Sequence, residues 1–421
     1  MLINLVVIFG GKSVEHEVSI ISAVQAMQNL DATKYNIMPV YMTKSNAFYS
    51  GDKLFDIENY KNLPNLMREL KRVKFEVFGD KTYLVPDFAR FLPTNWCYTR
   101  ERVIDVVLPV VHGTNVEDGV LQGFLQSMNL AYAGPDVLSA AICMDKFISK
   151  VLLKQAGFPV LDALLFDIND YADAKAVKES IEDTFGYPVI VKPVNLGSSI
   201  GISKAESAET LYKALSEAFS FSKKIIVEQA ISPLREINCA VLGDADEAIA
   251  SECEEPIAVD KILSYSDKYM GNAKGNSSQK MPSSSNNAEN KAASEKIEGA
   301  VYVAPKTGMA SLQRKVPADI TPELRDYIRD TAVKAFRYLG LNGVARLDFI
   351  IKTDTNEPVI NEFNTIPGSL SYYLFEPIGI NYSELLDRII NLALNRAQKS
   401  NDITYSFDTN ILSSVGGSIK K

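Results

Sequence analysis

The sequence predicts an α/β protein whose N-terminal part is a doubly wound parallel sheet. Residues 2–9 and 103–111 are apolar runs, the pattern of parallel strands that are covered on both faces. The glycine pair Gly10-Gly11 follows the first run and leads into a predicted helix that begins between Glu15 and Ser19. Predicted strands and helices alternate up to about residue 134, which is the order that a doubly wound sheet requires.

Length, charge and cysteine content narrow the class of protein. The 421 residues are enough for two or three domains, and the net charge of −8 argues against a general nucleic-acid binder. The four cysteines are widely spaced and form no CxxC pair, which is typical of reduced cysteines and not of a disulfide or zinc framework. The apolar N-terminal run is too short to span a bilayer, so we expect a cytoplasmic protein without a membrane partner.

Two glycine-containing turns follow predicted strands of the N-terminal part. Glu15 comes after the first strand, and His112 comes directly after the run at 103–111. Open α/β sheets bind ligands at the carboxyl ends of their strands, which makes both residues candidates for a site. An acidic residue near a helix start and a single histidine also have common structural roles. A helix is predicted at 120–128, and Ala133-Gly134-Pro135 indicates a domain boundary.

The middle of the chain combines lysines with a serine-glycine loop. Lys192 stands inside an apolar strand, where a charged group is costly unless it meets an anion. Gly197 and Gly201 surround Ser198 and Ser199 in a loop that is rich in hydrogen-bond donors and suited to covering phosphates. A plain hairpin turn is the alternative for this loop. One helix is predicted to carry Met144 to Lys146, and a solvated lysine is the usual case there.

A predicted hairpin at 343–364 gathers charged side chains on one face. At a strand's period of two, Arg346 and Asp348 share a face, and so do Glu362 and Asn364. Carboxylate and amide oxygens are hard ligands for Mg²⁺, and an arginine opposes the negative charge that develops during phosphoryl transfer. A solvated hairpin with charges that face water is the structural alternative.

The remaining segments frame this hairpin. Residues 271–300 are rich in Ser, Asn, Lys, Gly and Glu, which is typical of a linker or of a lid over an active site. An amphipathic helix is predicted at 321–339 and a closing helix from Asn381 to Ala397. A polar tail follows residue 400.

Taken together, these segments resemble the D-alanine–D-alanine ligases of the ATP-grasp superfamily over nearly all of residues 1–397. Eight segments match in the family's order. They are GGKSVEHEVS (10–19), HGTNVEDG (112–119), MDK (144–146), VIVKPVNLGSSIGISK (189–204), IVEQ (226–229), YSDKY (265–269), ARLDF (345–349) and NEFNTIPG (361–368).

The resemblance implies an architecture of three domains. The N-terminal domain would cover residues 1–134, and two ATP-grasp subdomains of α+β type, at 135–226 and 227–398, would sandwich ATP. A polar lid would lie at 265–300 and a tail at 399–421. The family also implies a homodimer that acts on small molecules, namely ATP and D-amino acids.

The resemblance also implies a role for each matched residue. Glu15, Ser198 and Tyr269 would form one hydrogen-bonded set around the first amino acid, and Arg346 with the Gly368 backbone would hold the charge of the tetrahedral intermediate. The substrate-binding residues would be His112, Ser371 and Leu374. The ATP-binding residues would be Lys146, Lys192, Ser199, Glu228, Ile231, Glu236 and Lys268. The ligands of two Mg²⁺ or Mn²⁺ ions would be Asp348, Glu362 and Asn364.

The implied reaction joins two D-alanine molecules through an acyl phosphate, for the synthesis of peptidoglycan precursors. Two features depart from the family's pattern: the segment Gly368–Pro377 contains bulkier aromatic residues and Glu376, and the polar lid is longer. The acceptor therefore stays open between D-alanine, D-serine, D-lactate and another amine. Two alternatives remain at this point, an ATP-grasp ligase for other amino acids and a non-catalytic nucleotide-binding scaffold.

Overall fold

A computed structural model describes residues 2–88, 98–197, 200–257, 314–352 and 354–404. The predicted lid at 265–300 and the tail from residue 405 lie outside the described residues.

The first sheet has six strands in the order β5-β4-β3-β2-β1-β6. The strands β2, β1 and β6 run parallel, as the apolar runs predicted, and β3 to β5 continue the sheet as an antiparallel meander. Short turns such as Gly79-Asp80 can join only antiparallel neighbours, which explains this half of the sheet. The segment at 130–133 forms a single bridge between Val107 and Tyr132 and no strand. The six strands are β1 Ile3–Gly10, β2 Tyr35–Met42, β3 Phe48–Ser50, β4 Lys71–Phe78, β5 Lys81–Pro86 and β6 Val106–Val110.

The second sheet is antiparallel and has the strand order β7-β10-β8-β9. Its strands are β7 Ala163–Asp167, β8 Val189–Pro193, β9 Ser203–Ala205 and β10 Lys224–Gln229. Its core is apolar and buries residues such as Val191, Leu215 and Val227. The predicted boundary after residue 226 falls within β10, and the division of the chain into domains stays a prediction.

The third sheet is antiparallel and contains the predicted hairpin. Its order is β13-β12-β11-β14-β15, with strands β11 Glu236–Gly243, β12 Ala248–Pro256, β13 Arg314–Lys315, β14 Gly343–Ile351 and β15 Pro358–Asn364. The pairing of β14 with β15 places Arg346 opposite Asn364 and Asp348 opposite Glu362, which confirms the predicted hairpin. The pairs Glu255–Lys315 and Pro256–Arg314 join β12 to β13.

Nine α-helices cover the three sheets within the described ranges. The helices are α1 His16–Asn29, α2 Leu63–Glu69, α3 Val120–Ser127, α4 Val137–Met144, α5 Lys146–Gln155, α6 Ala174–Thr184, α7 Ala208–Phe221, α8 Pro322–Tyr338 and α9 Tyr382–Asn401. The prediction of one helix through Met144-Asp145-Lys146 was wrong, because Asp145 is extended and separates α4 from α5. The Asp145 side chain accepts the N–H groups of Phe147 and Ile148 at 3.0 and 2.9 Å and so caps α5.

The C-terminal helix completes the core of the N-terminal domain. Leu385, Leu386 and Ile389 of α9 belong to the same buried cluster as Leu5 and Val24. Arg396 of α9 also donates hydrogen bonds to two backbone carbonyls just before the predicted domain boundary. The segment that follows β15 is therefore held between the first and third sheets. Among the described residues, no helix is long and apolar enough to cross a membrane.

Candidate active site

The face of the β14–β15 hairpin carries an interlocked set of polar side chains. Arg346 donates from Nε to Asp348 Oδ1 at 2.7 Å and from Nη2 to Asp348 Oδ2 at 2.8 Å. Asn364 Nδ2 donates to the same Oδ2 at 2.9 Å, and Glu362 stands directly opposite Asp348. All four side chains line one cavity. The hairpin therefore presents two carboxylates, an amide and a cation to the same space.

The chemistry of this set fits a magnesium ion that is bound together with a phosphate. In the described part of the chain, no group of three His, Cys, Asp or Glu side chains could hold a metal ion alone. Mg²⁺ usually takes only one or two protein carboxylates and completes its shell with water and substrate phosphate oxygens. Asp348, Glu362 and the Asn364 side chain match that requirement in residue type and in position.

A buried triad of two lysines and a glutamate lies beside the cavity. Glu228 Oε1 is 2.9 Å from Lys150 Nζ, and Glu228 Oε2 is 2.6 Å from Lys192 Nζ. Lys192 Nζ also donates to Asn361 Oδ1 at 3.1 Å, which ties the second sheet to the third. Burial alone would raise the pKa of Glu228, but the two lysine cations outweigh it and hold this pKa below its usual value. The triad thus concentrates two positive charges on one carboxylate.

Lys146 lies one helical turn before Lys150 of the triad and contacts the hairpin. Lys146 Nζ donates to the Leu196 carbonyl at 2.6 Å and lies 3.3 Å from Glu362 Oε2. Leu196 belongs to the loop that precedes the predicted phosphate-covering serines. Lys146 therefore stands between the candidate metal ligands and the candidate phosphate loop.

Glu15 lies where two glycines approach it closely. A Cβ atom at Gly113 would lie 2.9 Å from Glu15 Oε2, and one at Gly197 would lie 3.1 Å from the same oxygen. Any side chain at these positions would therefore crowd the carboxylate. Glu15 is buried and lines the cavity together with His112 and Gly368. A buried carboxylate at this place can anchor a cationic amine.

His112 belongs to a chain of hydrogen bonds between the N-terminal domain and the loop after β15. Its Nδ1 lies 2.7 Å from the Ile366 carbonyl and its Nε2 lies 3.2 Å from Ser22 Oγ. A carbonyl can only accept, so Nδ1 carries the proton and Nε2 accepts from the serine hydroxyl. Burial, aided by the nearby Arg346 cation, lowers the pKa of His112 to about 4. The imidazole is therefore neutral at pH 7.

Glu117 makes a second connection between the same two parts of the molecule. Its carboxylate accepts the N–H of Gly113 at 3.0 Å, the N–H of Ile366 at 2.8 Å and the hydroxyl of Thr365 at 3.2 Å. Burial raises the pKa of Glu117 to about 7. The neighbouring Glu15 carboxylate adds to this rise, and the hydrogen bonds to Glu117 oppose it. Glu117 is thus poised between its acid and its carboxylate forms near neutral pH.

A further polar cluster lies near Arg346, and its members Arg314, Glu254 and Asn238 line the cavity. Arg314 Nη1 lies 3.0 Å from Glu254 Oε2, and its guanidinium stacks 4.3 Å from the centre of the Tyr373 ring. The Tyr373 hydroxyl donates to Glu254 Oε1 at 3.1 Å, and Asn238 donates to the same oxygen at 3.1 Å. Burial beside Glu254 raises the pKa of Tyr373, so the phenol stays protonated and serves as a donor.

The structure brings most of the predicted site residues together, and leaves others apart. Those that line the cavity are Glu15, His112, Lys146, Glu236, Arg346, Asp348, Glu362, Asn364 and Gly368. Lys192 and Glu228 form the buried triad, and Ile231 is half-buried just after β10. Ser371 and Leu374 are fully buried and do not line the cavity, so direct substrate contact by them stays a prediction. Ser198, Ser199, Lys268 and Tyr269 lie outside the described residues.

Sequence reasoning assigned no role to Lys150, Glu117, Glu254 or Arg314. A signal for Lys150 was present, because it lies one helical turn after Lys146 and so shares its face. Glu117 belongs to the quoted segment at 112–119, but a single acid in a loop is usually solvated. Glu254 and Arg314 stand on strands at either side of the long polar segment, and no local pattern links them.

Comparison with known proteins identifies the family of this fold and cavity. Residues 4–135 match the family described as the D-ala D-ala ligase N-terminus, and residues 152–311 and 300–391 match the D-ala D-ala ligase C-terminus. The D-alanine–D-alanine ligase of Caldicellulosiruptor bescii is 37% identical over 413 residues, which cover 96% of this chain and 98% of the relative.

Solved structures agree with the sequence relatives. The D-alanine–D-alanine ligase from Coxiella burnetii has a TM-score of 0.72 and 28% identity, and the match covers 95% of this chain and 96% of that one. The VanG D-Ala:D-Ser ligase from Enterococcus faecalis has a TM-score of 0.71 and 27% identity, with coverage of 93% and 100%. The chain therefore belongs to the D-alanine–D-alanine ligase family.

Proposed function

We propose that this protein joins two D-alanine molecules in an ATP- and Mg²⁺-dependent reaction that releases ADP and supplies peptidoglycan precursors. The observation that carries the proposal is one cavity that is lined by two chemically different sets of side chains. Lys146, one helical turn before Lys150 of the buried triad, supplies a cation that suits a triphosphate. Glu15 and Gly368 suit an amino acid. The hairpin face with Asp348, Glu362 and Arg346 lines the same cavity.

In the first half of the reaction, the carboxylate of one D-alanine attacks the γ-phosphorus of ATP, the bond from that phosphorus to the β,γ-bridging oxygen breaks, and an acyl phosphate and ADP form. Both reactants are anions, so the site must offset their repulsion. Lys146 and Lys192 would do so from the phosphate side, and Glu15 would hold the ammonium group of the amino acid. Asp348, Glu362 and Asn364 would hold Mg²⁺, which neutralises phosphate charge and orients the γ-phosphate when bound.

In the second half, the neutral amine of another D-alanine attacks the acyl carbon, and phosphate leaves. A tetrahedral oxyanion develops at that carbon. Arg346 and the Gly368 backbone N–H both line the cavity and would oppose this charge. Since the acyl group stays on the substrate, no nucleophilic side chain is needed. The roles of Lys268 and Ser199 in ATP binding, and of Ser198 and Tyr269 in the hydrogen-bonded set around the first amino acid, stay predictions.

Residues near Arg346 support a second candidate function, which differs in the second substrate. Arg314 and Glu254 line the cavity near Arg346, and the Glu254 carboxylate could meet a hydroxyl on an acceptor side chain. The structural relative from Enterococcus faecalis is named as a D-Ala:D-Ser ligase. A ligase with D-serine as the second substrate is therefore the second candidate.

The test is the release of ADP from ATP and Mg²⁺ with D- and L-amino acids offered singly and in pairs, followed by identification of the product by mass. We expect D-alanine alone to give D-alanyl-D-alanine. A preference for D-alanine with D-serine would establish the second candidate, and release with no pair would overturn both. Glu357→Gln, at an exposed turn position of the hairpin, is the matched active control for Glu362→Gln.

We further propose a cytoplasmic homodimer that has no nucleic-acid or membrane partner. Family membership supports the soluble ligase role, and the dimer is an expectation carried over from the family. Light scattering coupled to size exclusion tests it directly, because a dimer has twice the mass of the 46.5 kDa chain.

A further inference from the structure

The segment Ser369–Ser371 has a backbone conformation that residues with side chains rarely adopt. Its φ angles are 50°, 52° and 50°, so three consecutive residues lie in the left-handed region. Only glycine enters this region without steric cost, and none of the three is a glycine. All three are buried as well. Such a conformation persists only where the surrounding contacts impose it, and it is often found at functional sites.

Helix α1 supplies two of these contacts. Ser22 Oγ accepts the Ser369 N–H at 3.0 Å, and Gln25 Oε1 accepts the Ser369 hydroxyl at 2.6 Å. Ser22 and Gln25 are three residues apart and therefore lie on one face of the helix. Both the backbone and the side chain of Ser369 are thus held by an element of the N-terminal domain.

The same serine continues the hydrogen-bonded chain through His112. Ser22 accepts from Ser369 and donates to His112 Nε2, and His112 donates to the Ile366 carbonyl. The loop is therefore fixed on both sides of Gly368. Gly368 itself lines the cavity, beside Glu15 and Arg346. A shift of the turn would move the Gly368 backbone directly.

We propose that Ser22 and Gln25 are positioning residues for the amino-acid end of the active site. Neither residue lines the cavity itself, but both hold the left-handed turn and so set where the Gly368 backbone N–H points. This inference rests on the proposed ligase function. The effect of Ser22 and Gln25 should be distinct from any effect on ATP binding, because the lysine triad lies on other elements, namely α5, β8 and β10.

The test compares Gln25→Leu, which removes the acceptor oxygen, with Gln25→Glu, which keeps one. Gln28→Ala, an exposed position on the same helix, is the matched control. We expect Gln25→Leu to raise the KM for D-alanine about five- to tenfold, the size of one lost buried hydrogen bond, and to leave the KM for ATP within about twofold. Gln25→Glu should restore the KM for D-alanine. Ser22→Ala should act in the same direction, and Ser22→Thr should rescue it.

Thermal unfolding of each variant separates this effect from general destabilisation. If Ser22→Ala fails to fold, Gln25→Leu decides alone, because Gln25 is half-buried and bonds a side chain and not the backbone. Equal changes in both KM values, or none in either, would overturn the inference while the wild type still makes dipeptide. No product from the wild type would instead overturn the proposed function, and this inference with it.

Discussion

Arg346 and Asp348 are joined by two parallel hydrogen bonds, of 2.7 and 2.8 Å, across one face of a single strand. The two side chains have opposite expected tasks, since Arg346 would face developing negative charge and Asp348 would face a metal ion. Each therefore holds the other in place before any ligand binds. Glu362, opposite Asp348, stands outside this pair and contacts Lys146 instead.

The first prediction concerns Glu362→Gln. The substitution removes a candidate metal charge and leaves the Arg346–Asp348 pair intact. We expect kcat to fall by about a hundredfold or more, the effect of losing several kcal/mol of charge stabilisation. The melting temperature should stay close to that of the wild type. Near-normal turnover at saturating Mg²⁺ would contradict the metal assignment, and Glu357→Gln is the control.

The second prediction concerns Asp348→Asn, which differs from the first in its effect on stability. Arg346 is buried, and without its partner carboxylate it becomes an uncompensated buried cation. We expect turnover to be lost and the free energy of unfolding to fall by about 3 kcal/mol. Urea unfolding of both variants checks the contrast. Equal stability of Asp348→Asn and Glu362→Gln would show that the Arg346–Asp348 ion pair does not stabilise the fold.

The third prediction concerns Lys150→Met. Burial lowers the pKa of Lys150 even though Glu228 favours its protonated form, so a charged lysine at this position costs free energy. Its removal leaves Glu228 with Lys192 alone, which should draw Lys192 away from phosphate. We expect a higher KM for ATP and a loss of about 1–3 kcal/mol of stability. Lys154→Met, an exposed lysine one turn further along α5, is the control, and the idea fails if the two variants have the same KM for ATP.

The fourth prediction concerns the pH dependence of stability at Glu117. Its folded pKa of about 7 lies above the ordinary value of 4.5, so the folded state keeps a proton that the unfolded chain has lost. The stability from this group is complete below pH 4.5 and is lost as the pH rises to 7. Because the side chain is partly exposed, the change is at most about 3 kcal/mol. The free energy of unfolding of the wild type minus that of Glu117→Gln, measured by urea unfolding, should fall over this window and be constant above it.

The fifth prediction is the opposite slope at His112. Its folded pKa of about 4 lies below the ordinary 6.5, so between these pH values the unfolded chain binds a proton at His112 and the folded protein does not. Stability from this group is present above pH 6.5 and is lost as the pH falls toward 4, by about 3 kcal/mol. The free energy of unfolding of the wild type minus that of His112→Asn should therefore rise between about pH 4 and pH 6.5, a window that overlaps the one in which the Glu117 difference falls. A flat difference would mean that His112 has the same pKa in the folded and unfolded states.

Sequence reasoning succeeded where a local period decides the outcome. The alternation in 343–364 fixes which side chains share a face of the hairpin, and the register places Arg346 and Asp348 beside Glu362 and Asn364 as expected. The glycine turn after β1 and the helix from His16 were predictable for the same reason, since an apolar strand, a glycine pair and a helix start are all local signals.

Sequence reasoning was insufficient where a long-range contact decides. Helix lysines are usually solvated, and only the packing of α5 against β8 and β10 buries Lys150 on Glu228. The break at Asp145 depends on a side-chain cap within an otherwise helical pattern. The left-handed turn at Ser369–Ser371 lacks the glycine that would announce it, because contacts from α1, more than three hundred residues earlier in the chain, impose it.

The pairing of β12 with β13 has a consequence for the engineering of this chain. Pro256 and Arg314 are neighbours across the ladder, so the chain leaves the sheet and returns to it at one point. The chain between these two residues closes a loop, and each doubling of a loop's length adds only about 0.6 kcal/mol of closure entropy. A longer connection, such as one that carries an inserted tag, would therefore cost the sheet that carries the hairpin little free energy. Arg314, where the chain re-enters the sheet, also lines the cavity, so its position in β13 links this pairing to the site.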